Sequence, residues 1–338
     1  MMRNAGIELF RVLCMVAICT QHAVHFSGTA YGCESRFWSF GVVGFAFISG
    51  WFGVSLRLSR ILSLWCVALS SVAISTAFAV AEGWSDRGFT EIYKEFLFTN
   101  WYLNGYTILL LLSPILNGAI EYLRSADRVQ RSLTVMGMAV LVAWSWASEQ
   151  WGIREFVPNV PGNGSHSFMA LIYIYLFARV LNVSGRLKRM PFSVLIGCCV
   201  VCAIMNPFVG GYTSVCTWGL TVGLFVCFER MVVPGWIFKG VSVLVPSLFA
   251  VYLIHTNWFV FGLIHDFAGA HVLGRPLQYA VYLLIAGMLF CASVVLDVPR
   301  RLVLMVGIDR RKRMLEAFDR RMARLFDKML EFWQGSGR

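Results

Sequence analysis

The chain has 338 residues, of which 58% are hydrophobic and 14% charged, and it carries a net charge of +11. Soluble domains hold about 25% charged residues, so this composition excludes an ordinary soluble fold and leaves an integral membrane protein. The positive charge does not point to nucleic acid, because it is distributed among the segments between apolar runs.

Ten such runs follow one another, at 7–27, 37–56, 61–82, 101–121, 129–147, 167–182, 192–208, 212–231, 243–263 and 277–298. Most approach or exceed the roughly 18 residues that cross a hydrocarbon core of about 30 Å. The expected fold is therefore all-α, a polytopic membrane domain of about ten transmembrane helices over 1–300 with a basic amphipathic cytoplasmic tail over 301–338. The first run is interrupted by charge and lacks a small-residue cleavage site, so it reads as a permanent helix rather than a signal peptide. Of the 29 Lys and Arg, Arg11 alone lies well inside a span. Of the others, 23 fall in one set of alternate loops, and Arg36, Arg87, Lys94, Arg154 and Arg275 make up the opposite set. The positive-inside rule then puts both termini in the cytoplasm.

The first run, "IELFRVLCMVAICTQHAVHF", carries four ionisable groups. At about 100° per residue, Glu8, Arg11, His22 and His25 share about 100° of arc, and Arg11 and His22 stand about three turns, roughly 16 Å, apart. Intramembrane ionisable groups usually face a cavity or one another, and Glu8 lies one turn from Arg11, where it can pair with it. The alternative is that Glu8 and Arg11 snorkel to one interface and the histidines to the other.

In the second run Gly41, Gly44, Gly50 and Gly53 supply faces for close helix approach. "RLSR" then places Arg57 and Arg60 one turn apart. They read either as a positive-inside flank or as a pair suited to a phosphate-bearing ligand, since guanidinium makes bidentate bonds to phosphate. "NWYLNGYT" opens the fourth run with an interfacial aromatic pair, and 147–166 is a loop rich in Gly, Pro and Asn, a lid or a connector. "CCVVC" at 198–202 has no nearby His and reads as packing. The cysteines offer no disulfide framework. In "LFAVYLIHTNW" His255 is expected mid-helix, with Tyr252 one turn earlier.

The tail from 309 to 333 sets Met314, Phe318, Met322, Leu325, Met329 and Trp333 at spacings of three and four between Arg and Lys. This is a basic amphipathic helix for an anionic membrane surface, or alternatively one for a protein partner.

Together, the Arg-x10-His of the first run with an acid three places before the Arg, "FISG", "RLSR", "WYL" and "YLIH", in that order, resemble the acyltransferase-3 family of integral membrane acyltransferases. The resemblance runs from the first run to the tenth and lacks the extracellular hydrolase-like domain that some members append. It implies a bacterial cell-membrane enzyme that transfers an acyl group, often acetyl from acetyl-CoA, to a sugar of a surface polysaccharide or lipid-linked precursor. By match it makes Arg11 and His22 essential and links Arg57 and Arg60 to the acyl-CoA donor. Glu8 would orient Arg11, and His255, Tyr252 and His25 become candidates for the acceptor or acyl pocket. Glu8 stands where Asp is frequent in the family, and "GFAFISGWF" where a more aromatic run is usual. No bound cofactor or metal is expected, and the partners are acyl-CoA, the glycan acceptor and membrane lipid. The competing function is a multi-helix transporter or flippase of a polar or lipid-linked solute, although no internal symmetry or paired broken segments of the kind such carriers use are evident. A haem protein would need further ligand spacing that the sequence does not offer.

Overall fold

The computed structural model describes residues 4–27, 32–81, 100–151, 168–270 and 275–305, together with 314, 317–322 and 324–325 of the tail. Every element among the described residues is helical. In chain order these are α1 (Ala5–Phe26), α2 (Gly32–Phe37), α3 (Phe40–Phe52), α4 (Leu58–Ala81), α5 (Trp101–Ser125), α6 (Arg128–Trp151), α7 (Phe168–Ser184), the single turn α8 (Arg186–Arg189), α9 (Phe192–Val209), α10 (Val215–Glu229), α11 (Gly235–Leu244), a 3-10 turn (Val245–Ser247), α12 (Leu248–His255), α13 (Trp258–Ala270) and α14 (Arg275–Met305). Among the described residues six segments are long and apolar enough to cross a membrane: Ala5–Phe26, Leu58–Phe78, Trp101–Ser125, Phe192–Val209, Gly235–His255 and Leu277–Val303. α7 and α10 are shorter apolar helices.

α1 is the hub. Phe10, Cys14, Ala17, Cys19 and Ala23 are wholly buried along it, and α3, α10, α12 and α14 pack around it. Its first turn is held by Asn4, whose side-chain oxygen accepts from the Gly6 and Ile7 amides, a standard way to satisfy the orphan donors of a helix start. The same amide group donates to the Glu229 carbonyl at 3.0 Å, joining the start of α1 to the end of α10. Toward the other end of α1, Gln21 meets the Tyr212 hydroxyl just before α10. The two helices are thus antiparallel.

α3 is also antiparallel to α1 and lies so close that a Cβ at Gly41 would strike the Cys14 carbonyl and one at Gly44 the Cys14 sulfur. Gly50 fits against the backbone of Tyr175 on α7 in the same way. These are the close approaches that small residues allow between membrane helices. "CCVVC" likewise packs: Cys199 and Cys202 sit against Gly223 and Gly219 of α10, and the nine described cysteines are free thiols.

Two runs differ from expectation. The run at 37–56 yields a helix only from Phe40 to Phe52, because Gly53 turns the chain at φ 72°, a left-handed region that favours glycine. The run at 243–263 is not one helix. Pro246 lacks an amide proton and the chain tightens there into a 3-10 turn, and α12 ends at His255, where the Thr256 amide and hydroxyl both bond the Tyr252 carbonyl. His255 therefore terminates a helix instead of lying mid-helix. Most of the 147–166 loop, from 152 onward, and much of the tail lie outside the described residues. Within the tail, Met314, Phe318 and Leu325 expose their apolar side chains.

Candidate active site

The defining feature is a pair of imidazoles. α1 and α12 run side by side, and His22 Nδ1 lies 2.8 Å from His255 Nε2. His255 is fully buried, and its Nδ1 stands 2.6 Å from the Val251 carbonyl one turn back. A carbonyl only accepts, so Nδ1 of His255 carries its proton. In neutral His255 that leaves a lone pair on Nε2, and His22 Nδ1–H must donate to it. Neutral His22 then has its lone pair on Nε2, the tautomer that a general base requires. The rings of Phe26 and Phe261 flank His22 at 6.0 and 5.5 Å, while Cys19 Sγ lies 3.9 Å from His255 Nδ1. Among the described residues no group of three His, Cys, Asp or Glu is placed to hold a metal ion.

Arg11 and Glu8 form the second part. The Arg11 Nη1 donates to both carboxylate oxygens of Glu8 at 3.0 Å, and Glu8 is buried while Arg11 is one-third exposed. The spacing of three on one helix makes this pairing local and fixes the guanidinium.

Two connecting cavities run through this region. An outer one of about 550 Å³ is lined by Arg60, Ser59, Ser63 and Gly53, and an inner one of about 280 Å³ by Met15, Ile18, Tyr102 and Tyr252. Arg11, Ile48, Ser49, Leu64, Tyr106 and Phe249 line both. The path therefore leads from a cationic mouth past Arg11 into an apolar, tyrosine-lined chamber. Its far residues, Ile18 and Tyr252, each lie about one turn before His22 and His255 on their own helices, and the Tyr252 ring meets the His255 ring edge-on at 6.0 Å.

The loop that forms the mouth is held by a polar clamp. The Tyr175 hydroxyl accepts from the Val54 amide at 3.2 Å and donates to Asn117 Oδ1 at 2.7 Å. Asn117 Nδ2 in turn donates to the Val54 carbonyl at 2.8 Å, so both backbone groups of one residue are satisfied by α5 and α7. Beyond the clamp Arg57 is exposed, and Arg60, also exposed, donates to the Ser55 carbonyl.

At the start of α4 the carboxylate of Asp319, from the tail, accepts from the Ser59 amide at 3.0 Å and from the Ser59 hydroxyl. Burial alone would raise the Asp319 carboxyl, but the Ser59 bonds and the charges of Arg57 and Arg60 hold it below its ordinary value.

The structure brings His22, His255 and Tyr252 together, with Tyr252 on the wall of the inner cavity, places Arg11 and Arg60 along the path and sets Glu8 on Arg11. His25 is elsewhere: it is exposed and packs edge-on against the Phe26 ring at 4.8 Å. Sequence reasoning passed over Ser49, Tyr106, Ser59 and Asp319, none of which has a local signal. It also passed over buried Asp297, which pairs with Arg300 through two hydrogen bonds. That pair did have a signal, since its spacing at the end of the last apolar run repeats that of Glu8 and Arg11. No protein-family model, curated protein or solved structure matches the chain.

Proposed function

We propose that the protein is a membrane-bound acyltransferase of the acyltransferase-3 type. It moves an acyl group, most simply acetyl, from cytoplasmic acyl-CoA to a hydroxyl of a cell-surface or lipid-linked glycan. The observation that carries this reading is the continuity of a path with guanidiniums at its mouth, an apolar chamber within and an oriented imidazole pair one turn beyond. Such a path suits a long donor with phosphates at one end and a thioester at the other. The proposed setting is a cell membrane with ten spans and both termini in the cytoplasm, so that the arginine-lined mouth faces the CoA pool.

In this mechanism Arg57 and Arg60 meet the donor phosphates at the mouth, and Arg11, oriented by Glu8, adds a third cation further in. The acceptor oxygen attacks the thioester carbonyl while His22 Nε2 takes its proton. The C–S bond then breaks, and the proton passes from the His22 imidazolium to the departing CoA thiolate. As His22 becomes charged, its Nδ1–H bond to neutral His255 becomes charge-assisted and stronger. His255 is thus a positioning residue.

His22→Ala should lower acyl transfer from labelled acetyl-CoA by about 10²–10⁴-fold, the usual contribution of a general base. The protein should still insert and elute as wild type in detergent; undiminished transfer by this variant would refute the mechanism. A transporter draws some support from the interrupted helix beside His255, since carriers place broken helices at their binding sites. The same assay separates the two, because a carrier leaves the label on CoA.

A further inference from the structure

The contact between Asp319 and Ser59 joins residues 260 positions apart and lies where the donor would enter. Ser59 and Arg60 both line the outer cavity. Asp319 takes the Ser59 amide and hydroxyl, the donors that an incoming phosphate would find at the start of α4. Arg57 and Arg60 flank the carboxylate closely enough to lower its pKa. An acidic side chain therefore occupies an anion seat inside a segment rich in Arg, with Arg320, Arg321 and Arg324 beside it. The apolar side chains of Met314, Phe318 and Leu325 are exposed on the same segment.

We infer that the tail is an autoinhibitory strap: Asp319 holds the Ser59 seat at the mouth, and an anionic donor must displace it to enter. This rests on the acyl-CoA reading for the identity of the donor, but the strap itself can be tested without it. Displacement exchanges one carboxylate for one phosphate on the same two donors, so the strap raises the donor concentration needed without blocking the path. Released, the tail can lay its apolar strip and arginines on an anionic membrane.

The test uses the full chain in detergent, with coenzyme A as probe and trypsin to report on the tail. Asp319→Asn removes the charge that Arg57 and Arg60 hold. It should bind coenzyme A about 5-fold more tightly than wild type and release the C-terminal fragment by cleavage at Arg320 or Arg321 sooner. In wild type, saturating coenzyme A should itself speed that cleavage. Ser59→Ala, which deletes one of the two donors from the other side, should also expose the tail. Unchanged or weaker coenzyme A binding by Asp319→Asn overturns the strap while leaving the acyl-CoA reading in place. If neither protein binds coenzyme A, the donor reading falls. The strap then stands if Asp319→Asn and Ser59→Ala both speed cleavage, and falls if they do not.

Discussion

The hydrogen-bond chain from the Val251 carbonyl through His255 to His22 has only one direction when both rings are neutral. A backbone acceptor fixes one proton, and the fixed proton fixes the next. Replacing His255 by Phe keeps a ring of similar breadth but removes the acceptor for His22 Nδ1–H, so His22 loses the partner that selects its tautomer. Acyl transfer should fall by about 100-fold or more with little change in donor KM, because a wrong tautomer costs rate without altering the mouth. A drop confined to KM would show that His255 serves binding instead. Legibility at this scale depended on sequence distance. The Glu8–Arg11 pair could be read from helical spacing alone, whereas the partner of His22 lies 233 residues away and no periodicity connects them. His25 shared the same stripe on paper, yet the packing of α12 and α13 against α1 selects His22 and leaves His25 outside.

Among the elements, α3 packs closely between α1 and α7, and its glycines allow this by having no side chain. A Cβ at Gly50 would meet the Tyr175 backbone, which cannot swing aside as a side-chain tip can. Gly50→Ala should therefore destabilise the protein by about 1–3 kcal/mol, seen as a lowered thermal midpoint in detergent. Gly118→Ala on α5, where nothing lies within 4 Å of the added atom, should be neutral or slightly stabilising. Equal effects from the two would refute the packing argument. The helical class was visible in the apolar runs because hydrophobicity must persist across a bilayer. The breaks were less visible: hydropathy does not register a left-handed Gly53 or the end of a helix at His255, since apolar residues continue on both sides of each.

For the whole molecule, the mouth and the imidazole pair lie at different places, and in the proposed mechanism the donor engages both. Binding at the anionic end then supports reaction at the other, so a donor cut down to its thioester should lose turnover as well as affinity. An acetyl thioester of N-acetylcysteamine, which lacks the nucleotide, should support transfer at least 100-fold less efficiently than acetyl-CoA. Free coenzyme A should not restore that rate, because in the proposed mechanism its own arm fills the chamber. Comparable kcat/KM for the two donors would sever the mouth from the reaction. The tail's amphipathic pattern was legible as a membrane-surface or partner helix, but the meeting of Asp319 with Ser59 was not, because it depends on where the chain returns after α14.

The unbroken course of α1 has one more result. Arg11 and His22 ride on the same rigid rod, so the interval between cation and base is set by counting residues and is insensitive to how the neighbouring helices breathe. In the proposed mechanism α1 would act as a ruler for the donor's arm. One inserted alanine between the two marks would rotate His22 by about 100° and shift it by about 1.5 Å, whereas swapping one side chain for another along that stretch leaves the gauge unchanged. If the proposed donor spans both marks, the length it must have is written in the number of residues between two positions, and substitutions in the chamber walls leave that length unchanged.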